Sequence, residues 1–349
     1  MNWLTRRVRP EQVRELSLLL LIVVAIAAFG SFIDGYFSFR TFNRIASSVA
    51  IITVVAVGQT LVVLTRNIDL SVGSIVGFTA YFVGTLIAAH NGINPLLAVA
   101  ISIALGAALG VVNGVIVAWG RVPAVVVTLG TLAIYRGVLV DLSGAKTVTT
   151  DSLPDWLTGL PLVNVVPIGN LDIRPMFVLA LVIVAVFQIG TTYLRFARRF
   201  YAIGSNPEAA QLIGLPMKRV VFLAFVICGA LSGLGGFMFL VRFGNITVEA
   251  GRGLELSVIA AVVVGGVNIF GGSGTVVGAM LGAVLIGTLE QSLFRLNISE
   301  FWLNAVLGLL ILLAVASDAV ILQRLRVLWG RAELKLVEPV SGENEAPRP

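Results

Sequence analysis

Eight polar side chains stand inside long apolar runs of this chain: Gln59, Asn113, Arg136, Asp141, Gln188, Asn268, Glu290 and Gln291. A polar or charged group in such a setting marks a path for a polar solute, a packing contact, or a long side chain reaching the interface. Neutral amides can exchange hydrogen bonds with a polar solute, so Gln59, Asn113 and Asn268 are the candidates to line a pathway. Arg136, Asp141 and Glu290 lie toward the ends of their runs, where the interface is within reach. Arg136 and Asp141 are also five positions apart, which is not an i,i+4 helix pair. Catalytic chemistry is poorly supplied. One histidine (His90) and one cysteine (Cys228) cannot build a histidine pair, an internal disulfide or a multi-cysteine metal site. Cys228, inside an apolar run, reads as a small buried hydrophobe. No G-x-x-x-x-G-K-[ST] occurs, so no ATP-holding P-loop is expected.

The longest interruption with its own structural signals is Arg198–Phe222, "RRFYAIGSNPEAAQLIGLPMKRVVF". Asn206 is a favoured N-cap, and Pro207 suits the first helical position, where its missing N–H costs nothing. Glu208 complements the helix dipole. Ala209 to Ile213 propagate the turn, Gly214 stops it and Pro216 follows. The spacing predicts a two-turn helix over 207–213 with both ends specified. It is too short to cross a membrane and marginal in isolation, so it must dock on something.

The surroundings decide where. The chain has 349 residues, 58% hydrophobic and 12% charged, with mean hydropathy +1.00. Soluble domains carry about 25% charged residues. Thirty-seven glycines fit closely packed membrane helices. The fold class expected is an all-α polytopic membrane protein. Ten apolar segments of about 17–25 residues fall at 16–33, 45–64, 71–89, 95–119, 123–142, 175–194, 220–241, 254–270, 275–294 and 301–317. The Gly- and Ser-rich composition of 71–89 marks it as a candidate broken or re-entrant span. Segment 16–33 is longer than the 7–15-residue core of a signal peptide and reads as the first span.

Charge orients the spans. Arg6, Arg7, Arg9 and Arg14 precede the first, and Arg324, Arg326, Arg331 and Lys335 follow the last. The 195–219 loop carries Arg195, Arg198, Arg199, Lys218 and Arg219 against Glu208. Loop 143–174 has no basic excess. Both termini and the 195–219 loop are therefore expected in the cytoplasm. The net charge of +6 is explained by topology and is no sign of nucleic acid. The organisation reads as a basic cytoplasmic N-terminus (1–15), one membrane domain in contact with lipid (16–320) and a polar, disordered cytoplasmic tail (321–349).

"NIDLSVGSIVG" from Asn67 and "NIFGGSGTVVG" from Asn268 echo each other without gaps. Each follows one apolar run and opens another, so Asn67, Asp69, Gly73 and Gly274 are expected in two helix–turn motifs at cytoplasmic turns. Asp69 is the expected cap of the third helix.

Four long motifs carry a resemblance. "GSNPEAAQLIGLP" is similar to the coupling-helix region of ABC-type monosaccharide importer permeases of the ribose, xylose, rhamnose and autoinducer-uptake family. "GQTLVVLTRNIDLSVGSIVG", "NGVIVAWGRVPAVVVTLGTLAIYRGV" and "AVVVGGVNIFGGSGTVVGAMLGAVLIGTLEQSL" resemble further family motifs in the family's order. Two departures are visible: Leu215 replaces a common Ile or Val, and Arg66-Asn67 replaces a common Gly-Gly. The resemblance implies a type II importer permease in a bacterial inner membrane. It implies two permease chains, identical or related, and a cytoplasmic ATP-binding subunit that holds ATP-Mg. It also implies an extracytoplasmic sugar-binding protein, and no cofactor on this chain. Gly204, Asn206, Pro207, Glu208, Ala209, Ala210 and Gly214 would belong to the ATPase contact. Binding-protein delivery would leave the pore weakly selective, which again favours Gln59, Asn113 and Asn268 over charges.

Related permeases for nucleosides or branched-chain amino acids share the architecture, though the "IDLSVGS" and "GSNPEAA" wording favours sugars. A gradient-driven transporter would want acids near span centres, and a membrane enzyme would want clustered acids at one interface. The sequence shows neither.

Overall fold

A computed structural model of the protein describes residues 10–168, 171–299, 301–314 and 316. The tail 321–349 and the arginines at 6, 7 and 9 lie outside the described residues. Among the described residues, eight helices are long and apolar enough to cross a membrane: α1 (Pro10–Phe32), α2 (Phe39–Leu64), α3 (Val72–Ala89), α4 (Pro95–Gly120), α5 (Ala124–Ser143), α7 (Pro175–Tyr193), α10 (Met217–Phe243) and α12 (Val276–Arg295). Two shorter apolar helices, α11 (Leu254–Val264) and α13 (Phe301–Ala314), complete ten. The protein is thus a helical, multi-pass membrane protein. Between α5 and α7 lie a five-residue helix, α6 (Asp155–Gly159), two 3-10 turns and a small antiparallel hairpin, β1 (Val166–Ile168) with β2 (Leu171–Ile173). After α7 come two short helices, α8 (Arg198–Ser205) and α9 (Pro207–Leu212).

Boundaries differ from the apolar segments where polarity and hydropathy mislead. Helix α2 begins six residues before its apolar run, because Ser38 caps it through Thr41 N–H although Arg40 and Arg44 make the first turns polar. Helix α11 stops at Val264, since the apolar residues after it form a turn with Gly266 and Gly271 in the left-handed region.

Helix α2 is the buried centre, walled by α7, α10, α11 and α12. Helix α10 runs antiparallel to α4 at backbone contact. A Cβ on Gly106 would lie 2.2 Å from the Gly229 carbonyl oxygen, and one on Gly233 would lie 2.1 Å from that of Ser102. This glycine ladder supplies the close dispersion contact that holds helices together where no hydrophobic effect separates them from lipid.

Segment 71–89 is not broken: α3 is continuous. The irregular backbone lies just before it. After Leu64 the chain turns back, and Asp69 lies level with Gln59, five residues inside the end of α2, about 7.5 Å at the helical rise. Helix α3 therefore starts inside the bundle. The segment after α10 does the same from the other face. Residues 244–253 dip inward, so that a Cβ on Gly73 would lie 2.6 Å from the Gly251 carbonyl oxygen. Helices α3 and α11 thus begin at one interior point and run to opposite faces. Non-helical backbone at this depth is tolerated only when protein covers it, and Asp69, Ser71, Ala250 and Gly251 are all buried.

Candidate functional site

The residues of interest gather at the face where α2 ends. The two helix–turn motifs form adjacent turns there, between α2 and α3 and between α11 and α12. Gly272 N–H donates to the Leu64 carbonyl oxygen at 3.1 Å. The ungapped match between them is not a structural one. Helix α2 is capped at Thr65 and α3 opens at Ser71; α11 is capped at Gly265 and α12 opens at Thr275. The second turn is four residues longer, so an ungapped alignment sets Ser74, inside α3, against Thr275, the cap of α12.

Helices α8 and α9 are clasped onto both turns. Arg66 Nε donates to the Gly204 carbonyl oxygen at 2.6 Å and its Nη2 to that of Ser205 at 3.0 Å. Tyr201 Oη donates to the Gly274 carbonyl oxygen at 3.0 Å, and Ser205 Oγ to that of Gly272 at 3.2 Å. Gly204 is buried at the joint, where a Cβ would lie 1.8 Å from the Leu64 carbonyl oxygen and 2.5 Å from Gly272 N. Arg66 itself has φ 64°, a left-handed conformation that suits glycine. Its long side chain reaches across because the backbone accepts that strain.

Helix α9 is built by its local signals. Asn206 Oδ1 accepts from Ala209 N–H at 3.0 Å, Pro207 takes the first position and Gly214 has φ +75° just beyond the end. Ala210 is buried against the bundle. Asn206, Glu208, Ala209 and Gly214 are exposed. So are Leu212 at 88% and Ile213 at 74%, an apolar tip on an otherwise polar face.

The other end of this machinery is a buried polar seam. Asp69 Oδ1 accepts from Ser71 N–H (2.8 Å) and Ser71 Oγ (2.6 Å). Ser71, not Asp69, takes the N-cap position of α3; Asp69 sits two residues earlier and holds it. Asn113 on α4 donates to Ser71 Oγ at 2.8 Å and to Asp69 Oδ2 at 3.5 Å, and Tyr135 on α5 reaches Asn113 Oδ1 at 3.5 Å. With its amide turned to satisfy both partners, Gln59 donates to the Asp69 carbonyl oxygen at 3.3 Å and accepts from Asp69 N–H at 3.1 Å. Gln59, Asp69, Ser71 and Asn113 have no exposed surface. The structure therefore brings Gln59 and Asn113 together on one loop, closed off from solvent.

Asn268 is elsewhere. It lies half-buried in the α11–α12 turn, where Oδ1 accepts from Phe270 N–H at 2.8 Å. Asn67 tidies the other turn by donating to the Thr65 carbonyl oxygen at 2.9 Å. Gln188 accepts from the Val276 and Val277 N–H groups at 3.0 and 3.2 Å and so caps α12 from α7. Glu290 takes the Ser257 hydroxyl at 2.5 Å, and Asp141 is exposed.

Two residues at the meeting point of α3 and α11 were not singled out as a pair by spacing. Glu255, in the first turn of α11, turns its buried Oε2 toward Gly73, where a Cβ would lie 2.0 Å away. Arg136 donates to the Val248 and Ala250 carbonyl oxygens at 2.9 and 2.7 Å, pinning the inward-dipping segment. Paired inverted half-helices whose N-termini meet inside a bundle are the arrangement transporters use around a central path.

Comparison with known proteins places the sequence in a family. The family model described as "Branched-chain amino acid transport system / permease component" matches residues 41–315. The chain belongs to this permease family. Within it, the chain is 36% identical over 315 residues to the autoinducer 2 import system permease protein LsrC of Yersinia pseudotuberculosis serotype O:3 (strain YPIII), covering 87% of this chain and 84% of that protein. It is equally similar to the protein of the same name from Yersinia enterocolitica serotype O:8 / biotype 1B, covering 82% of that chain. No solved structure matches the sequence. The matched region of the permease family takes in both turns, the seam and α8–α9.

Proposed function

We propose that this permease forms the translocation pathway of an ATP-driven, binding-protein-dependent importer of a small sugar-like solute. A furanose-type autoinducer is the first substrate to test, with deoxyhexoses and pentoses next. The observation that carries the reading is the clasp at α8: Arg66 bonds its Gly204 and Ser205 carbonyl oxygens from the α2–α3 turn, and Tyr201 and Ser205 on α8 bond the Gly274 and Gly272 carbonyl oxygens of the α11–α12 turn. It links an exposed, capped two-turn helix to the turns that precede α3 and α12. A separate cytoplasmic subunit would bind ATP-Mg and seat α9 through Glu208, Gly214 and the exposed tip. Its motion would pass through Gly204 and Arg66 to the α2–α3 turn, and so to the Asp69 seam. A second permease chain, identical or related, would complete the pore, and an extracytoplasmic binding protein would deliver solute at the opposite face. Both termini and α9 would lie in the cytoplasm of a bacterial cell and the α5–α7 segment outside. The basic residues around α8–α9 and Arg14, which bonds the Gly266 carbonyl oxygen at the same face, support that orientation.

The test is a gentle pull-down of the tagged chain from its native membranes, with uptake of labelled autoinducer 2, rhamnose, ribose and leucine measured in parallel. Co-purification of an ATPase, lost with Glu208→Lys while the chain stays inserted, is the expected result. Uptake that persists when ATP is held constant and stops with an uncoupler would overturn ATP coupling. Leucine uptake without sugar uptake would instead support the amino-acid reading contained in the family's description.

A further inference from the structure

A cavity of about 300 Å³ opens at the surface between α1, α2, α7 and α12. It lies in the half of the bundle away from α9, since it takes the first turns of α2 and α7 and the later turns of α12. Its walls are apolar, with Ile26, Ile45, Phe177 and Val284 among them. Polar groups mark its outer end. Arg174 is the N-cap residue of α7, and Asn43 lies in the second turn of α2. Neither side chain has a hydrogen-bond or ion-pair partner among the described residues, and Arg174 Nε is buried.

A buried guanidinium nitrogen without an acceptor is desolvated without compensation. Two further arginines, Arg40 and Arg44, are exposed on the same turns of α2. The positive end of the groove lies where the helices start, at the membrane interface, and the apolar wall runs from there into the depth of hydrocarbon. An amphiphile with a negative head and an acyl tail matches both parts. A non-helical protein segment would have to hide its backbone polar groups in the same apolar wall.

We propose that this groove holds one anionic phospholipid of the leaflet away from α9, with its phosphate on Arg174 and Asn43 and one acyl chain along the apolar wall. The guanidinium gives the phosphate charge-assisted hydrogen bonds, and the lipid ties α1 and α7 to α2 and α12.

The purified full chain in mild detergent is mixed with equal amounts of phosphatidylglycerol and phosphatidylcholine of identical acyl chains, and retained lipid is counted by native mass spectrometry. At least tenfold preference for one phosphatidylglycerol per chain is expected. Arg174→Gln should bring it below twofold, and Arg174→Lys should restore part of it. Ala46 also lines the groove, so Ala46→Phe, which fills it, should lower retention of both lipids. Lys218→Gln, the same loss of charge at the α9 face, should change nothing. Equal retention of the two lipids by the wild-type chain would overturn the proposal, as would a preference that survives both Arg174→Gln and Ala46→Phe. A dimer peak that falls in those variants while the lipid count holds would assign the groove to a second copy instead. Thermal midpoints measured alongside separate misfolding from lost binding, and Arg174→Lys keeps the question open to decision if Arg174→Gln does not fold.

Discussion

Arg66 Nε stands 2.6 Å from the carbonyl oxygen of Gly204. The bond joins the turn before α3 to the chain just before α9, and Arg66 adds a second through Ser205. Hydrogen bonds from a charged donor contribute about 1.5–3 kcal/mol each. Arg66→Ala should therefore lower uptake at least tenfold while the chain remains inserted and still captures its ATPase. Arg66→Gly, which relieves the left-handed backbone at φ 64°, should be folded at least as well as Arg66→Ala yet transport no better. Uptake by the glycine variant at the wild-type rate would show that the clasp does not transmit motion.

Gly204 and Gly214 bracket α9 but answer to different physics. A Cβ at Gly204 meets the Leu64 carbonyl oxygen at 1.8 Å, whereas at Gly214 nothing lies within 4 Å and only the φ of +75° is at stake. Gly204→Ala should lower the thermal midpoint of the detergent-solubilised chain sharply. Gly214→Ala should cost only about 1 kcal/mol of backbone strain. A scan in which the two variants melt alike would contradict the joint described here.

Asn113 is the donor that ties α4 to the seam. Asn113→Leu conserves bulk and removes the donor, leaving Ser71 Oγ and Asp69 Oδ2 each short of a partner. Loss of a partner from a buried acceptor costs about 1–3 kcal/mol, more when it is charged. The cycle of Asn113→Leu with Asp69→Asn should show coupling above about 0.5 kcal/mol in chemical or thermal unfolding. Additive effects would mean that the two side chains act independently.

The parts of this architecture that a linear reading finds are those with local causes. Hydrocarbon thickness sets segment length, so among the described residues eight of the ten apolar runs are visible as helices of membrane-crossing length, while α11 and α13 are shorter than their runs. The ends of α9 are visible because Asn206, Pro207 and Gly214 act on neighbours within four residues. The seam and clasp are different. Asn113 meets Ser71 from 42 positions away, and Arg66 meets Gly204 from 138. Gln188 caps α12 from 88 positions away, and nothing in the α7 sequence distinguishes that amide from a pathway amide. Glu255 escapes notice for the same reason: its meaning depends on α3 starting inside the bundle. Asn268 attracts attention as an intramembrane amide only because the turn that contains it is as apolar as a helix.

The last expectation concerns the tip of α9. Leu212 is 88% exposed and Ile213 74%, next to Ala210, which is buried against the bundle. Two large apolar side chains on a polar face add nothing to the fold of this chain, so replacing them should leave its stability within about 0.5 kcal/mol. Apolar anchors that enter a pocket carry much of an interface's free energy, often 2 kcal/mol or more apiece. Leu212→Ser with Ile213→Ser should therefore cut ATPase capture by at least tenfold at unchanged thermal midpoint. Arg66→Ala should do the reverse, keeping capture and losing uptake. The two phenotypes together separate docking from transmission. If the serine pair keeps both capture and uptake, the partner does not grip α9 through its tip.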